Sequence, residues 1–404
     1  MIKTLKLLSF EVKIMLLGVL LINLSTFMLS PFLALYMNMK NFSATNIGIV
    51  LTSGLIFQQG FTFFGGLIGD RFGYKTSIII GLVIRIAGYL IFLNSSYLLL
   101  FIVASSLIGV GGALILPSTK ASIASVEEEL RGKSLALRST AVNIGAALGP
   151  IIGSLLYKSF FYIVFLFAAL THILLLLLVI FFISNFNNNK ISKNIFTDFK
   201  SVIMDRKLVY LTLVSSGFWF LYTQLNLTIP LFLKQSLQLD YLIGILFTIN
   251  GVLVVFLQFH MISYFEGKFS YKYILFYGMI IMTFAFAFLW LLPSILGLYM
   301  FIFFFTVAEI LIAPAVDNVA SQLAPSPTKL AGYLGFVSLG WAIGGTLGNL
   351  LGGYLYTLVP NTNNMWFGCT VIAAIFAILF KLQKDRKNIA DNLVANKMEK
   401  DTNL

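Results

Sequence analysis

Charged residues are scarce in this sequence, and so are the side chains that hold metals or form disulfides. Cysteine occurs once, as Cys369 inside an apolar run, so neither an intramolecular disulfide nor a thiolate metal cluster can form. The two histidines, His172 and His260, are isolated, and no metal site is expected. A Gly-x4-Gly-Lys-Ser/Thr nucleotide loop is lacking, which argues against a primary pump. No nucleophile–base pair can be picked out, so enzyme chemistry is not expected, and neither is a cofactor. Only 10% of the residues are charged, against roughly a quarter in a soluble domain.

What fills the chain instead is apolar. Hydrophobic residues make up 59% of the 404, more than a soluble fold can cover. Runs of membrane-spanning length recur from near residue 14 to near residue 381, each long enough for a hydrocarbon layer of roughly 30 Å. The first is too long for a cleavable signal and no cleavage site follows it, so it reads as a retained helix. Helices are expected over 14–36, 44–69, 75–94, 97–119, 134–157, 160–184, 208–233, 241–264, 272–292, 296–322, 330–357 and 362–381. The net charge of +12 could point to nucleic acid, but its distribution is topological. Lys40, Lys158 and Lys234 are the only basic residues in one set of loops, and Arg85 lies within a helix. The rest lie on the side of the two termini, which the positive-inside rule places in the cytoplasm of a cell (plasma or inner) membrane.

The helices divide into two halves. A polar, basic stretch over 185–207 separates a six-helix bundle, 1–184, from a second, 208–404, that ends in a basic tail. Its part from Ile195 to Leu208 has the pattern of an amphipathic surface helix. Arg71-Phe-Gly-Tyr-Lys75 matches Lys268-Phe-Ser-Tyr-Lys272 at an offset of 197, as Pro117 matches Pro314. Gly145, Gly149 and Gly153 match Gly344, Gly348 and Gly352 at 199, as Pro31 matches Pro230. Two halves of the same orientation form a parallel repeat, a construction of rocking transporters.

Residues 66–75 read GLIGDRFGYK, a glycine turn with an acid and two bases at a helix end. Asp70 can face helix dipoles or arginines and hold one conformation by a contact that breaks in the other; a solvated inner loop is the plainer alternative. The segment resembles the loop signature of the major facilitator superfamily, Gly-x-Leu-Ala-Asp-Arg-x-Gly-Arg-Lys. Gly66, Asp70, Arg71, Gly73 and Lys75 match it, while Ile68, Gly69 and Tyr74 depart. The resemblance implies an all-α membrane protein with the major facilitator fold, twelve transmembrane helices in two six-helix pseudo-repeats. In helix five, Gly145, Gly149 and Gly153 form a smooth stripe, and Pro150 bends the helix. Generic packing would explain such a stripe. The order Gly-x3-Gly-Pro-x2-Gly also resembles the signature of proton-driven drug antiporters, with Ser154 in place of the final glycine. That group often carries an arginine in helix four, where this chain has Ser105. Arg85 lies instead in helix three, about 15 Å beyond Lys75 along the axis. It either substitutes for that arginine or serves a polar helix interface.

Two acids lie inside the expected helices, Glu309 and Asp317, both in helix ten. Such carboxyl groups can take a proton from one side and release it to the other, and both are candidates for proton coupling. Glu309-Ile-Leu-Ile-Ala-Pro314 resembles a Glu-x4-Pro element of proton-driven multidrug exporters. A structural carboxyl bonded to neighbouring helices is the alternative. The fold implied by the resemblance lines its cavity with helices 1, 4, 7 and 10, making Asn23, Tyr222, Gln224 and Asn226 candidates for substrate contact, together with Arg85. Gln58, Gln59, Asn250 and Gln258 are further amides within reach. Aromatic rings, amides and one acid suit amphipathic or weakly cationic compounds. The expected function is multidrug-type efflux of amphipathic small molecules, driven by the proton gradient through alternating access. A dedicated exporter of one metabolite, such as a siderophore, or an uptake symporter of the same fold are the competing readings. The expected partners are substrate, protons and lipid, not nucleic acid, with the chain working as a monomer.

Overall fold

A computed structural model describes residues 7–94, 96–124, 128–156, 161–184, 203–239, 241–266, 268–325, 330–358 and 362–382. Among them every regular element is helical. The helices are α1 (Phe10–Met39), α2 (Ala44–Phe72), α3 (Tyr74–Asn94), α4 (Leu98–Ala124), α5 (Glu128–Leu156) and α6 (Phe161–Phe182). Then follow α7 (Arg206–Gln224, resuming over Thr228–Phe232 and a π turn, Leu233–Leu237) and α8 (Leu242–Glu266). The last are α9 (Tyr271–Leu291), α10 (Ile295–Leu323), α11 (Leu330–Val337, resuming over Leu339–Leu358) and α12 (Thr362–Leu382). Ten of them are long and apolar enough to cross a membrane.

Local chemistry sets the ends. Ser9 and Ser43 cap α1 and α2 by accepting from Val12 N and Asn46 N. Asp205 caps α7 through Lys207 N and Leu208 N, and its other oxygen accepts from the Tyr333 hydroxyl at 2.9 Å. Gly73 stops α2 at φ 89°, a backbone that side chains rarely adopt. Pro31 is carried within α1 without a break. Its repeat mate behaves differently: Pro230 has no N–H to offer the carbonyl four residues back, and α7 is interrupted at 225–227. There Leu225 N and Asn226 N bond back by three residues to Tyr222 O and Thr223 O. The interruption is a finding the continuous helix expected over 208–233 did not include. The α5 helix also begins earlier than expected, at Glu128. The stretch 185–202, with most of the expected surface helix, and the tail from 383 lie outside the described residues.

The glycine stripes are seams between helices. Gly145, Gly149 and Gly153 bring α5 against α1, where a Cβ on Gly149 would stand 2.8 Å from Met28 N and 2.9 Å from Leu24 O. Gly344, Gly348 and Gly352 do the same for α11 against Ser216, Phe220 and Gln224 of α7. The sequence repeat is thus a repeat of packing. The first six helices meet the second six chiefly through α2 on α11 and α5 on α8.

These crossings lie towards one face. Gly48 packs on the Asn349 carbonyl, Gly353 on the Ala44 carbonyl, and Thr45 Oγ1 is 2.8 Å from Thr357 Oγ1. On the other pair, Gly244 meets Ser154, and a Cβ on Gly251 would lie 3.0 Å from Ala147 Cα. Nearer the face where the chain begins α1 and ends α12, a Cβ on Gly60 or Gly335 would meet nothing within 4 Å among the described residues. Around the outside the helices expose large apolar side chains such as Leu155, Phe181 and Phe256, as lipid-facing helices do.

Candidate functional site

A cavity of about 200 Å³ opens between the halves. Its walls come from α1, α2, α3, α4, α7 and α11. Polar groups reach it from Thr26 and Ser30 of α1, Gln58 of α2, Arg85 and Tyr89 of α3, and Ser105 of α4. Opposite stand Tyr222, Thr223 and Asn226 of α7, with Trp341 and Asn349 of α11. Ser30 Oγ donates to Asn226 Oδ1 at 3.2 Å, joining α1 to the interruption in α7. Trp341 stacks on Trp219, ring centroids 4.6 Å apart and planes 12° apart, which fixes the indole on the wall.

Arg85 is 5% exposed, and its Nη2 donates to Thr26 Oγ1 at 3.1 Å and to Tyr89 OH at 3.0 Å. Its stem passes Gly111 of α4, where any larger residue would collide with it. Ser105, at the position where the resemblance suggested an arginine, donates to Val50 O at 2.8 Å and packs against Gly54. With α2 and α4 this close, a long side chain has no room there, and the cation enters the same cavity from α3.

Glu309 of α10 stands behind this wall. Its Oε2 accepts from Asn250 Nδ2 at 2.8 Å, and the same amide nitrogen donates to Thr306 Oγ1 at 2.9 Å. Tyr222 neighbours the same carboxyl group and also lines the cavity. Tyr222 therefore connects the acid to the space between the halves, and α10 itself is not on this part of the wall. Asp317 lies two turns further along α10, exposed towards the face of the chain ends, in the electrostatic field of Lys120 on α4. Lys120 and Asp317 occupy equivalent places in the repeat, at the same offset of 197 as Pro117 and Pro314.

The other singled-out residues hold helices together. Asn23 Nδ2 donates to Val19 O at 2.7 Å and packs against Gly145. Gln224 Nε2 donates to Phe220 O and to Gly348 O, both at 3.0 Å, and its Oε1 accepts from Thr228. Pro150 presents its carbonyl to Gly244 of α8, so the helix-five motif serves α1 on one side and α8 on the other. In the loop after α2, Lys75 Nζ donates to Ile180 O at 3.0 Å, tying α3 to the end of α6. A Cβ on Gly66 would lie 3.8 Å from Pro117 of α4, and the Arg71 guanidinium lies 5.4 Å from the Phe72 ring centroid. The side chain of Asp70 lies outside the described residues. Tyr89 and Trp341 were not singled out in the sequence; Tyr89 follows Arg85 by one helical turn, which is the signal that would have found it.

Comparison with known proteins agrees with this architecture. The chain is 27% identical over 387 residues to the multidrug resistance protein MdtH of Yersinia enterocolitica, covering 94% of this chain and 96% of that one. It is equally similar, over 383 residues, to the MdtH of Yersinia pestis strain Pestoides F, covering 93% and 95%. Among solved structures it resembles the nucleoside transporter NupG with a TM-score of 0.80 at 14% identity, covering 93% of this chain and all of that one. A D-xylose-proton symporter is similar with a TM-score of 0.73 at 16% identity, covering 93% and 98%. At such identities the structures speak for the fold alone. The family model of the Major Facilitator Superfamily matches residues 15–326 and again 242–397. With that match over nearly the whole chain, and with two packed halves around a central cavity, this multi-pass membrane protein belongs to the Major Facilitator Superfamily of transporters.

Proposed function

We propose that the protein exports amphipathic small molecules in exchange for protons by alternating access, with Glu309 as the proton-coupling carboxyl. The observation that carries this reading is the Tyr222 bridge. One residue lines the cavity and also neighbours the acid, so occupancy of the cavity and the protonation of Glu309 act on the same group. As a carboxylate, Glu309 accepts from Asn250; once protonated it keeps fewer acceptor sites, and the contact between α8 and α10 must readjust.

The seams supply the moving parts. With α2 on α11 and α5 on α8 in contact towards the far face, the cavity faces the chain ends in this reading, and the excess of Lys and Arg on that side supports a cytoplasmic orientation in the cell membrane. An exporter loads substrate in this state. Rocking about Ser30–Asn226 and the glycine contacts would open the far face and expose Glu309 to outside protons. Export is favoured over uptake by the relation to proteins named for multidrug resistance and by the helix-five motif. A single protomer is the proposed working unit.

The test is transport by the reconstituted chain in proteoliposomes with an imposed proton gradient, offering amphipathic cations, anions and zwitterions. An exchanger moves substrate against the direction of proton flow. Movement of substrate together with protons would make the protein a symporter and overturn the reading.

A further inference from the structure

Among the residues that line the cavity, one carries a full charge, and it is positive. Arg85 is buried to within 5% and faces the cavity between Tyr89, Thr26 and Gln58. Its hydrogen-bond partners among the described residues are two hydroxyl groups, and its Nε has none there. No carboxylate pairs with it there. The two acids of α10 are placed elsewhere, Glu309 behind Tyr222 and Asp317 exposed near Lys120. His172, which packs its ring on the far side of Tyr89 at 5.0 Å, supplies no negative charge. A guanidinium held away from water without a counter-charge is costly and is normally paired. It also presents a planar array of donors suited to a carboxylate, phosphate or sulfonate.

We infer that Arg85 is the anchor for an anionic group of the transported molecule, whose apolar body packs against Tyr89, Phe92, Leu33, Leu55 and Trp341. The ligand is then an amphipathic anion or zwitterion, and a simple lipophilic cation fits poorly. The inference rests on the reading of this cavity as the substrate site and narrows the amphipathic or weakly cationic substrate expected from sequence to an amphipathic anion or zwitterion. A zwitterion can turn its cationic end towards Tyr222 and the neighbouring Glu309.

The experiment is calorimetric binding to the full chain in neutral-lipid nanodiscs, with no gradient and with empty discs as control. The probes share one apolar body: adamantane carboxylate, adamantylmethanol and adamantylmethylammonium. The wild type should bind the carboxylate at least about tenfold more tightly than the other two, as a charge-assisted contact requires. Arg85→Gln should bring the three probes level, and Arg85→Lys should keep their order. Equal or tighter binding of the ammonium probe, no binding of the carboxylate, or a preference that survives Arg85→Gln would each overturn the inference. The wild-type ordering decides even if Arg85→Gln fails to fold. Because no protons move in this assay, it is separate from the coupling role of Glu309, and either can fail alone.

Discussion

Asn250 of α8 places its amide nitrogen 2.8 Å from Glu309 Oε2 and 2.9 Å from Thr306 Oγ1 on α10, so one side chain fixes the acid from the neighbouring helix. A hydrogen bond to a charged group contributes about 1.5–3 kcal/mol. Asn250→Ala should therefore lower proton-driven transport about tenfold, while the size-exclusion profile and the thermal unfolding temperature of the purified protein change little. Transport at the wild-type rate would mean that Glu309 does not depend on this contact.

The α5 stripe carries a stability prediction with its own control. A Cβ on Gly149 would meet backbone atoms of α1, which cannot give way as a flexible side chain can. Gly149→Val should destabilise the fold by about 1–3 kcal/mol, the cost of overpacking, and show as a lowered unfolding temperature in detergent. Gly60→Ala adds its Cβ to open space and should leave that temperature unchanged. Equal effects of the two would contradict the seam.

Lys120 and Asp317 attract one another at the chain-end face from repeat-equivalent places on α4 and α10. If the pair draws that face together when the far face opens, Asp317→Asn and Lys120→Gln should each slow transport severalfold, within the about 1–3 kcal/mol typical of coupling between conformational states. The exchange Lys120→Asp with Asp317→Lys should then restore it. Were Asp317 a proton carrier instead, the exchanged pair would stay inactive, since a lysine at 317 cannot replace the carboxyl. Transport assays on the three variants separate the roles.

The legible part of this protein was what repeats. Apolar runs, the basic bias and the matched glycines of α5 and α11 gave the helices, the halves and the seams, because spans and close approaches depend on residue type at regular spacing. The interruption of α7 was not legible: Pro31 and Pro230 are equivalent in sequence, yet only the second stands beside a break. Nor could sequence sort the amides. Asn23 and Gln224 are spent on Val19, Phe220 and Gly348, whereas Asn226 reaches the cavity because it lies in that break. The sign of the cavity was hidden for the same reason. Glu309 is at a central depth in α10, and only the packed structure puts Tyr222 in front of it and Arg85 on the wall.

The central claim, that Glu309 couples protons to substrate, is tested most directly by comparing wild type and Glu309→Gln in proteoliposomes, recording substrate counterflow and substrate-driven proton movement on the same preparation. The account predicts that Glu309→Gln keeps counterflow, which needs only the cavity and the rocking halves, while proton movement falls to the level of empty vesicles. Proton movement at the wild-type rate in Glu309→Gln would contradict it and make the carboxyl a structural link between α8 and α10.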